Sequence, residues 1–532
     1  MDSTPSTTSQ LVLRSQDVSR LSLTSLNDDV AIVLLSFMRP QDIMAYRQTC
    51  RQFFKTTERR VVWLNALRKV MDDHFVTEDT FPLKSMSLEM LQHAALSPFR
   101  FTTLLKEADG SLLEPTNTRI LPCRLTENEK QSFGVTGNTV LETFTVAPGG
   151  RFVAVQTIHH KVNSDELLWV FTIWDLGIHG SFNTDAKPVK RVSIPISGDT
   201  HDFYTVALHF DPSYGSGTLF LIVHLIPEST KSSVSVYTMD ITSHVNEMKL
   251  FAKIDFPGHL HLLLIVASPR SHRITGQFYE GEDDKNAYFV WDYLENKSTS
   301  WFTKDTLEDT YYYDGSIFYP YDNALIVVDI DGNLRVYNTP ELTDGSAFWE
   351  NPKVTQFPNI DIRRPFSGPC AHIPIADNHK SFSDYLCLSD TDEDVAAIYR
   401  IQDLNSLANS RLPQKLPVHA GTVNLSAVSV PGGPKSGLVH HLDEDNVLIS
   451  YLNVDYSRLR AHVVDMNGGT PSLKLRNPEL LNPLEAQTTI LGYEGTMRME
   501  CVAISSMTGR VFIQTVQGHQ RGLRQLQVMD YL

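Results

Sequence analysis

The residues best equipped for acid–base or metal chemistry are histidines that come in pairs, His159-His160 and His440-His441, and histidines near acids, His201-Asp202 and His209 with Asp211. An imidazole beside a carboxylate suits proton transfer or metal ligation. Successive residues of a strand point to opposite faces, however, so a His-His pair in a strand cannot easily hold one ion, and a loop or structural role fits these residues better. The five cysteines (Cys50, Cys123, Cys370, Cys387, Cys501) show no CxxC or Cys/His ligand spacing. The phosphate cradles GxxxxGK[S/T] and GxGxxG are missing, as is the Gly-x-Ser-x-Gly elbow. Pro431 to Pro434, Pro-Gly-Gly-Pro, is a turn whose prolines remove the amides a phosphate needs. Ser389 to Asp394 is an acidic run, expected as a solvated loop or as a contact for a basic peptide. The sequence therefore assigns no catalytic residue, no cofactor and no metal.

The elements that would position any site are mostly strands. Short β-rich runs ending in an aspartate or its equivalent recur through the chain, as in LLWVFTIWDL (Leu167 to Leu176), NAYFVWDYL (Asn286 to Leu294) and RQLQVMDYL (Arg524 to Leu532). Asp175, Asp240, Asp292, Asn338, Asp403, Asp465 and Asp530 mark seven such runs at loosely regular spacing, the sequence signature of a propeller or array. One or two further strands precede most markers, for example Phe144 to Val146 and Phe152 to Val155 around a Pro-Gly-Gly turn, so each unit reads as three strands before a turn and one after. Loops inserted between strands are expected at Leu176 to Lys187, Asp305 to Asp314 and Pro431 to Gly437. The last marker is followed only by Tyr531 and Leu532, which leaves the final unit without an outer strand. A segment between Phe99 and Leu125, Thr118 to Leu125 above all, is expected to supply it.

At 532 residues the chain exceeds one ordinary domain, and two of unequal size are expected. Residues 1–20 read as a mobile leader, 21–75 as a helical module, 76–98 as a helical connector and 99–532 as the strand-rich body. With 42% hydrophobic and 20% charged residues the chain is folded. A net charge of −16 disfavours nucleic acid as a partner. Scattered, unpaired cysteines fit a reducing compartment, and neither a cleavable signal nor a membrane-length apolar run is present, so a cytoplasmic or nuclear location without a membrane partner is expected.

The helical module begins at Leu26. Val30, Val33, Leu34 and Phe37 fall at i, i+3, i+4 and i+7, behind Asn27 and Asp28 placed to cap a helix. Pro40 supplies the first position of a second helix, Ile43, Tyr46, Cys50 and Phe53 or Phe54 continue the stripe, and Trp63, Ala66, Leu67 and Val70 form another that runs to about His74. A bundle this small is marginal alone, which leaves an apolar face for a partner. Ser87 opens a connector helix through Leu88, Leu91 and Ala95 that is expected to stop before Pro98.

Leu26, Asp29, Val30, Leu34, Leu35, Phe37, Met38, Pro40, Asp42 and Ile43, followed by Thr49-Cys50-Arg51, Phe53 and Trp63, resemble the F-box. Asn27 stands where that pattern usually has Pro, and Phe53 where Trp is common. Trp174-Asp175 and Trp291-Asp292 resemble the third strand of WD-repeat blades, although the Gly-His that opens such repeats is not in register. Together the resemblances imply a mainly β protein, a seven-bladed β-propeller of diverged WD-like blades preceded by a small all-α F-box-like module. They imply a non-catalytic substrate receptor of an SCF-type ubiquitin ligase, docking a Skp-type adaptor and through it a cullin, with the propeller holding an unidentified target protein. Leu26, Val30, Leu34, Leu35, Met38 and Ile43 are the expected adaptor contacts, in a helix-in-groove mode. The competing expectations are an F-box and propeller scaffold outside any ligase, and a propeller enzyme with a helical cap.

Overall fold

A computed structural model describes residues 26–74, 76–108, 112–162, 166–178, 188–197, 202–210, 217–226, 232–243, 247–257, 260–268, 272–280, 285–303, 317–321, 324–328, 333–344, 355–356, 360–362, 370–371, 385–390, 395–403, 415–424, 437–443, 446–452, 459–466, 486–491, 498–516 and 524–532. The leader at 1–20, His201, Asp211, the inserted loops at 179–187, 305–314 and 431–436, and the acidic residues 391–394 lie outside them. The chain divides into two compact units, 1–67 and 68–532.

The first unit is helical. Its helices are α1 (Asp28–Ser36), α2 (Pro40–Arg47), α3 (Arg51–Thr57) and the start of α4 (Arg60–Asp73). Asn27 caps α1 by accepting from the Asp29 amide, and Pro40 opens α2 where its missing N–H costs nothing. Trp63, fully buried, donates its indole N–H to the Thr57 carbonyl at 2.7 Å and fixes the turn between α3 and α4. Asp28 and Arg59 form an ion pair that joins the start of α1 to the start of α4.

The second unit is mainly β. Its described strands form seven sheets built as antiparallel meanders in chain order. The first comprises Val135–Val146, Phe152–Lys161, Leu167–Asp175 and Val189–Ser197. The second runs from Asp202–Phe210 to Met248–Asp255 and the third from Leu260–Ala267 to Lys297–Thr303. The fourth, fifth and sixth follow between Ile317 and Leu491. The seventh has Arg498–Ser505, Arg510–Val516 and Arg524–Asp530, and its fourth strand is Asn117–Leu121, antiparallel to Arg524–Asp530 with Asn117 opposite Asp530. The chain thus completes its last sheet with a segment from before its first, as the missing outer strand required. All seven marker residues are the final residue of the third strand of a sheet. Inner strands read as apolar runs because both faces are covered; Thr218–Ile226 is TLFLIVHLI, whereas the outer Met248–Asp255 is the more polar MKLFAKID.

Neighbouring sheets pack face to face. Trp169, Phe171, Leu219 and Leu221 join the first and second, Phe220, Val236, Phe278 and Trp291 the second and third, and Tyr288, Trp301, Leu325 and Tyr337 the third and fourth. Leu448, Val463, Val502 and Ile513 join the sixth and seventh. Phe144, Val155, Phe512 and Val528 join the seventh to the first.

Three features differ from the sequence expectation. The connector helix α5 (Leu88–Glu107) does not stop at Pro98 but passes through it. Proline there forfeits one helix hydrogen bond, and burial of Leu91, Ala94, Phe101 and Leu105 offsets that loss as α5 packs on the sixth sheet. Leu112–Leu113 adds a short parallel strand to that sheet beside Ile490 and Leu491. A further helix, α6 (Glu127–Phe133), is held by a full capping box between Thr126 and Glu129.

The turn Ala147–Arg151 tests how tightly the first and seventh sheets meet. Gly150 has φ +68°, and a Cβ on it would lie 2.6 Å from Ser505 Cβ, whereas Gly134, at φ +64°, has nothing within 4 Å. Gly134→Ala is expected to cost about 1–2 kcal/mol, for the left-handed backbone alone. Gly150→Ala adds an overpacking penalty of about 1–3 kcal/mol. Denaturant unfolding of the two variants measures the difference, and equal losses would contradict this packing.

Candidate functional site

The helical unit exposes an apolar stripe. Val30, Val33, Leu34 and Phe37 are 52%, 59%, 40% and 76% exposed, one continuous stripe along α1. The opposite side of α1 carries Ala31 and Leu35, both buried. Of the six expected adaptor contacts, Val30 and Leu34 lie on this open face, and Leu26 and Met38 at its ends are half-buried. Leu35 and Ile43 are core residues at 1% and 0% exposure, so neither can touch a partner while the unit is folded. Val33 and Phe37 belong to the open face and were not among the six. A second exposed aromatic, Phe54 on α3, lies under the Arg47 guanidinium at 4.3 Å.

The second unit concentrates its chemistry at the ends of third strands. Arg151 grips Asp175 with two hydrogen bonds, at 3.0 and 2.9 Å, and Arg191 adds a third at 2.6 Å. In the seventh sheet Arg510 bonds Asp530 at 2.8 Å, and Arg119 meets the same carboxylate at 2.8 Å. In the third sheet Asp292 receives His272 at 2.8 Å, with Arg273 at 3.9 Å. Burial raises the pKa of Asp175 and of Asp292, but the Arg151 and Arg191 guanidiniums and the His272 hydrogen bond outweigh it, so both carboxyls lie below their ordinary value. Asp175 and Asp292 are therefore charged anchors for strand ends. The signal of such pairs in the sequence is a basic residue opening the second strand, Arg151, Arg273 or Arg510, with the acid closing the third. On α6, burial raises the pKa of Glu129, but Lys190 and Thr126 draw it down to about 2.

Among the described residues the histidines do not converge. His159 is buried with Nε2 at 2.9 Å from Thr157 Oγ1, while His160 faces outward, as alternation in a strand demands. His209 Nε2 lies 3.1 Å from the Tyr293 hydroxyl and bridges the second and third sheets. His440 and His441 are adjacent in the strand Gly437–Asp443. Among the described residues no group of three or more His, Cys, Asp or Glu is placed to hold a metal ion, and no helix is long and apolar enough to cross a membrane.

No family model matches the chain, and no curated protein does. Solved structures similar to it include the β-propeller domain of the Trilobed protease from Pyrococcus furiosus, with 8% identity and a TM-score of 0.35 over 74% of this chain and 93% of that one. The WD40 domain of SCAP from fission yeast has 10% identity and a TM-score of 0.33 over 78% and 98%. An acylaminoacyl peptidase has 9% identity and a TM-score of 0.38 over 76% of this chain, which spans only 52% of that protein. The fold description stands on the strand pairing above.

Buried neutral histidines set an acid limit. Burial holds His159 at about 4 and His224 at about 3, against an ordinary value near 6.5. As pH falls through 6.5 the unfolded chain takes up protons that the folded chain refuses. Stability is thus complete above that pH and lost toward pH 4, at about 1.4 kcal/mol per pH unit for each histidine. The melting temperature is expected to fall steadily over this window, and His159→Gln to reduce the slope. An unchanged slope in that variant would contradict the assignment.

Proposed function

We propose that the chain is a non-catalytic substrate receptor of an SCF-type ubiquitin ligase, with α1 docking a Skp-type adaptor and the strand-rich unit holding a target protein. The observation that carries this reading is the outward apolar stripe Val30, Val33, Leu34 and Phe37, in a helical unit whose other large apolar side chains include the buried Leu35, Ile43, Phe53 and Trp63. An amphipathic helix offering i, i+3, i+4 and i+7 anchors is the form in which helices enter apolar grooves. The motif order from Leu26 to Trp63, which resembles the F-box, gives the stripe its proposed partner. The face is accordingly Val30, Val33, Leu34 and Phe37 with Leu26 and Met38 at its rim, and Leu35 and Ile43 support it from within.

In the same reading the seven sheets are the blades of a closed β-propeller. Its support is the chain order of the meanders, the packing of the seventh sheet on the first and the shared strand Asn117–Leu121. The receptor works by proximity: a cullin recruited through the adaptor brings a ubiquitin-charged enzyme beside the held target, raising the local concentration of the reacting groups.

Val33→Asp combined with Phe37→Asp is expected to weaken adaptor capture at least tenfold while leaving the melting temperature nearly unchanged, since both side chains already face water. Leu35→Asp places a carboxylate in the core and is expected to unfold the helical unit instead. Co-purification from cells reads both, with the adaptor and cullin followed separately. Undiminished capture by the double variant sinks the docking claim. Adaptor without cullin indicates a scaffold outside the ligase, and catalytic turnover that survives the double variant indicates the propeller enzyme.

A further inference from the structure

The described residues of 74–121 are fastened repeatedly at the junction between the first and seventh sheets. His74 Nδ1 lies 3.3 Å from Ser506 Oγ, in the turn Ser505–Gly509 of the seventh sheet. Arg151, in the turn Ala147–Arg151 of the first sheet, donates to the Thr80 carbonyl at 2.9 Å. Gly149 in that turn approaches so closely that a Cβ would lie 2.9 Å from Thr80 Cγ2 and 3.0 Å from Val76 Cγ1. Farther along, Phe101 of α5 packs on Tyr531 with ring centroids 6.2 Å apart. Asn117–Leu121 then pairs with Arg524–Asp530, and Arg119 from that strand reaches both the Leu176 carbonyl of the first sheet and Asp530 of the seventh.

The two turns that hold this segment are themselves tied together. Arg510 sends one nitrogen to the Gly150 and Gly177 carbonyls of the first sheet, at 2.9 and 3.0 Å, and another to Asp530 of its own sheet. The attachments just described therefore share residues with the junction, while α5 and Leu112–Leu113 also pack on the sixth sheet. We infer that residues 74–121 form a strap whose release and the opening of the first–seventh junction are one cooperative event. A buried carboxylate or guanidinium stripped of its partner is costly, so loosening any one fastening destabilises the next. The inference concerns the second unit alone and does not rest on the docking reading.

Hydrogen–deuterium exchange of the full chain, read by peptide, tests it with two variants that cut opposite ends of the strap. Arg151→Met removes the bond to Thr80 together with the two bonds to Asp175 at the same junction. Exchange is expected to rise tenfold or more within 76–108 and also in Asn117–Leu121 and Arg524–Asp530, with Thr218–Ile226 and Arg273–Glu280 unchanged. Arg119→Met removes bonds at the other end and is expected to raise exchange in the same segments, including 76–108. Effects confined to the vicinity of each substitution would overturn the inference. So would equal acceleration in the second and third sheets in both variants, since the strap would then be no unit of its own. Should Arg151→Met alone unfold, Arg119→Met decides.

Discussion

A fully buried guanidinium holds the two ends of the β-unit together. Arg510 is stripped of water, a state that costs several kcal/mol unless its N–H groups are met, and they are met by Asp530 and by the carbonyls of Gly150 and Gly177. Those carbonyls lie 360 and 333 positions earlier in the chain. Both glycines have positive φ, a backbone that glycine adopts without strain, and at Gly150 a Cβ would also lie 2.6 Å from Ser505 Cβ. Gln514 and Arg524 add bonds to the Glu142 and Leu141 carbonyls farther along the same junction. The apolar core between the first and seventh sheets is thus framed by directional contacts, which fix register where hydrophobic burial alone would not.

The helical unit obeys a different constraint. α1 is apolar on nearly every side, DDVAIVLLS, and a helix of that kind needs two partners. Ala31 and Leu35 find theirs in the core, and Val30, Val33, Leu34 and Phe37 are left to water. An apolar stripe of that kind is the observation from which the docking proposal starts. The proposed function thus divides between the exposed stripe of α1 and a set of sheets whose first and seventh members are joined by buried charge.

Much of this was legible in the sequence, and the failures have physical causes. The strand runs and their closing aspartates were readable because burial on both faces writes itself as unbroken Val, Ile, Leu and Phe, and the expected partner of the last run, Thr118 to Leu125 within Phe99 to Leu125, overlaps the observed strand Asn117–Leu121. The path of α5 through Pro98 was not, because tertiary burial outweighs a local breaker. α6 was overlooked although Thr126-x-x-Glu129 spells its cap. Leu35 and Ile43 were assigned to the docking face from the motif resemblance, which does not say which side of a helix meets the core, whereas the stripe Val30, Val33, Leu34 and Phe37 read from periodicity is the exposed one. The Arg–Asp pairs escaped because their partners stand 24 and 20 positions apart and meet only across a strand pair.

The central claim, that α1 is the adaptor-binding element, is tested most directly by hydrogen–deuterium exchange of the full chain with and without a purified Skp-type adaptor. Protection gained on binding is predicted over Asp28–Ser36 and the adjoining residues of α2 and α3, with the seven sheets unaffected. Protection on the sheets with none over α1, or no protection anywhere at saturating adaptor, would contradict the account.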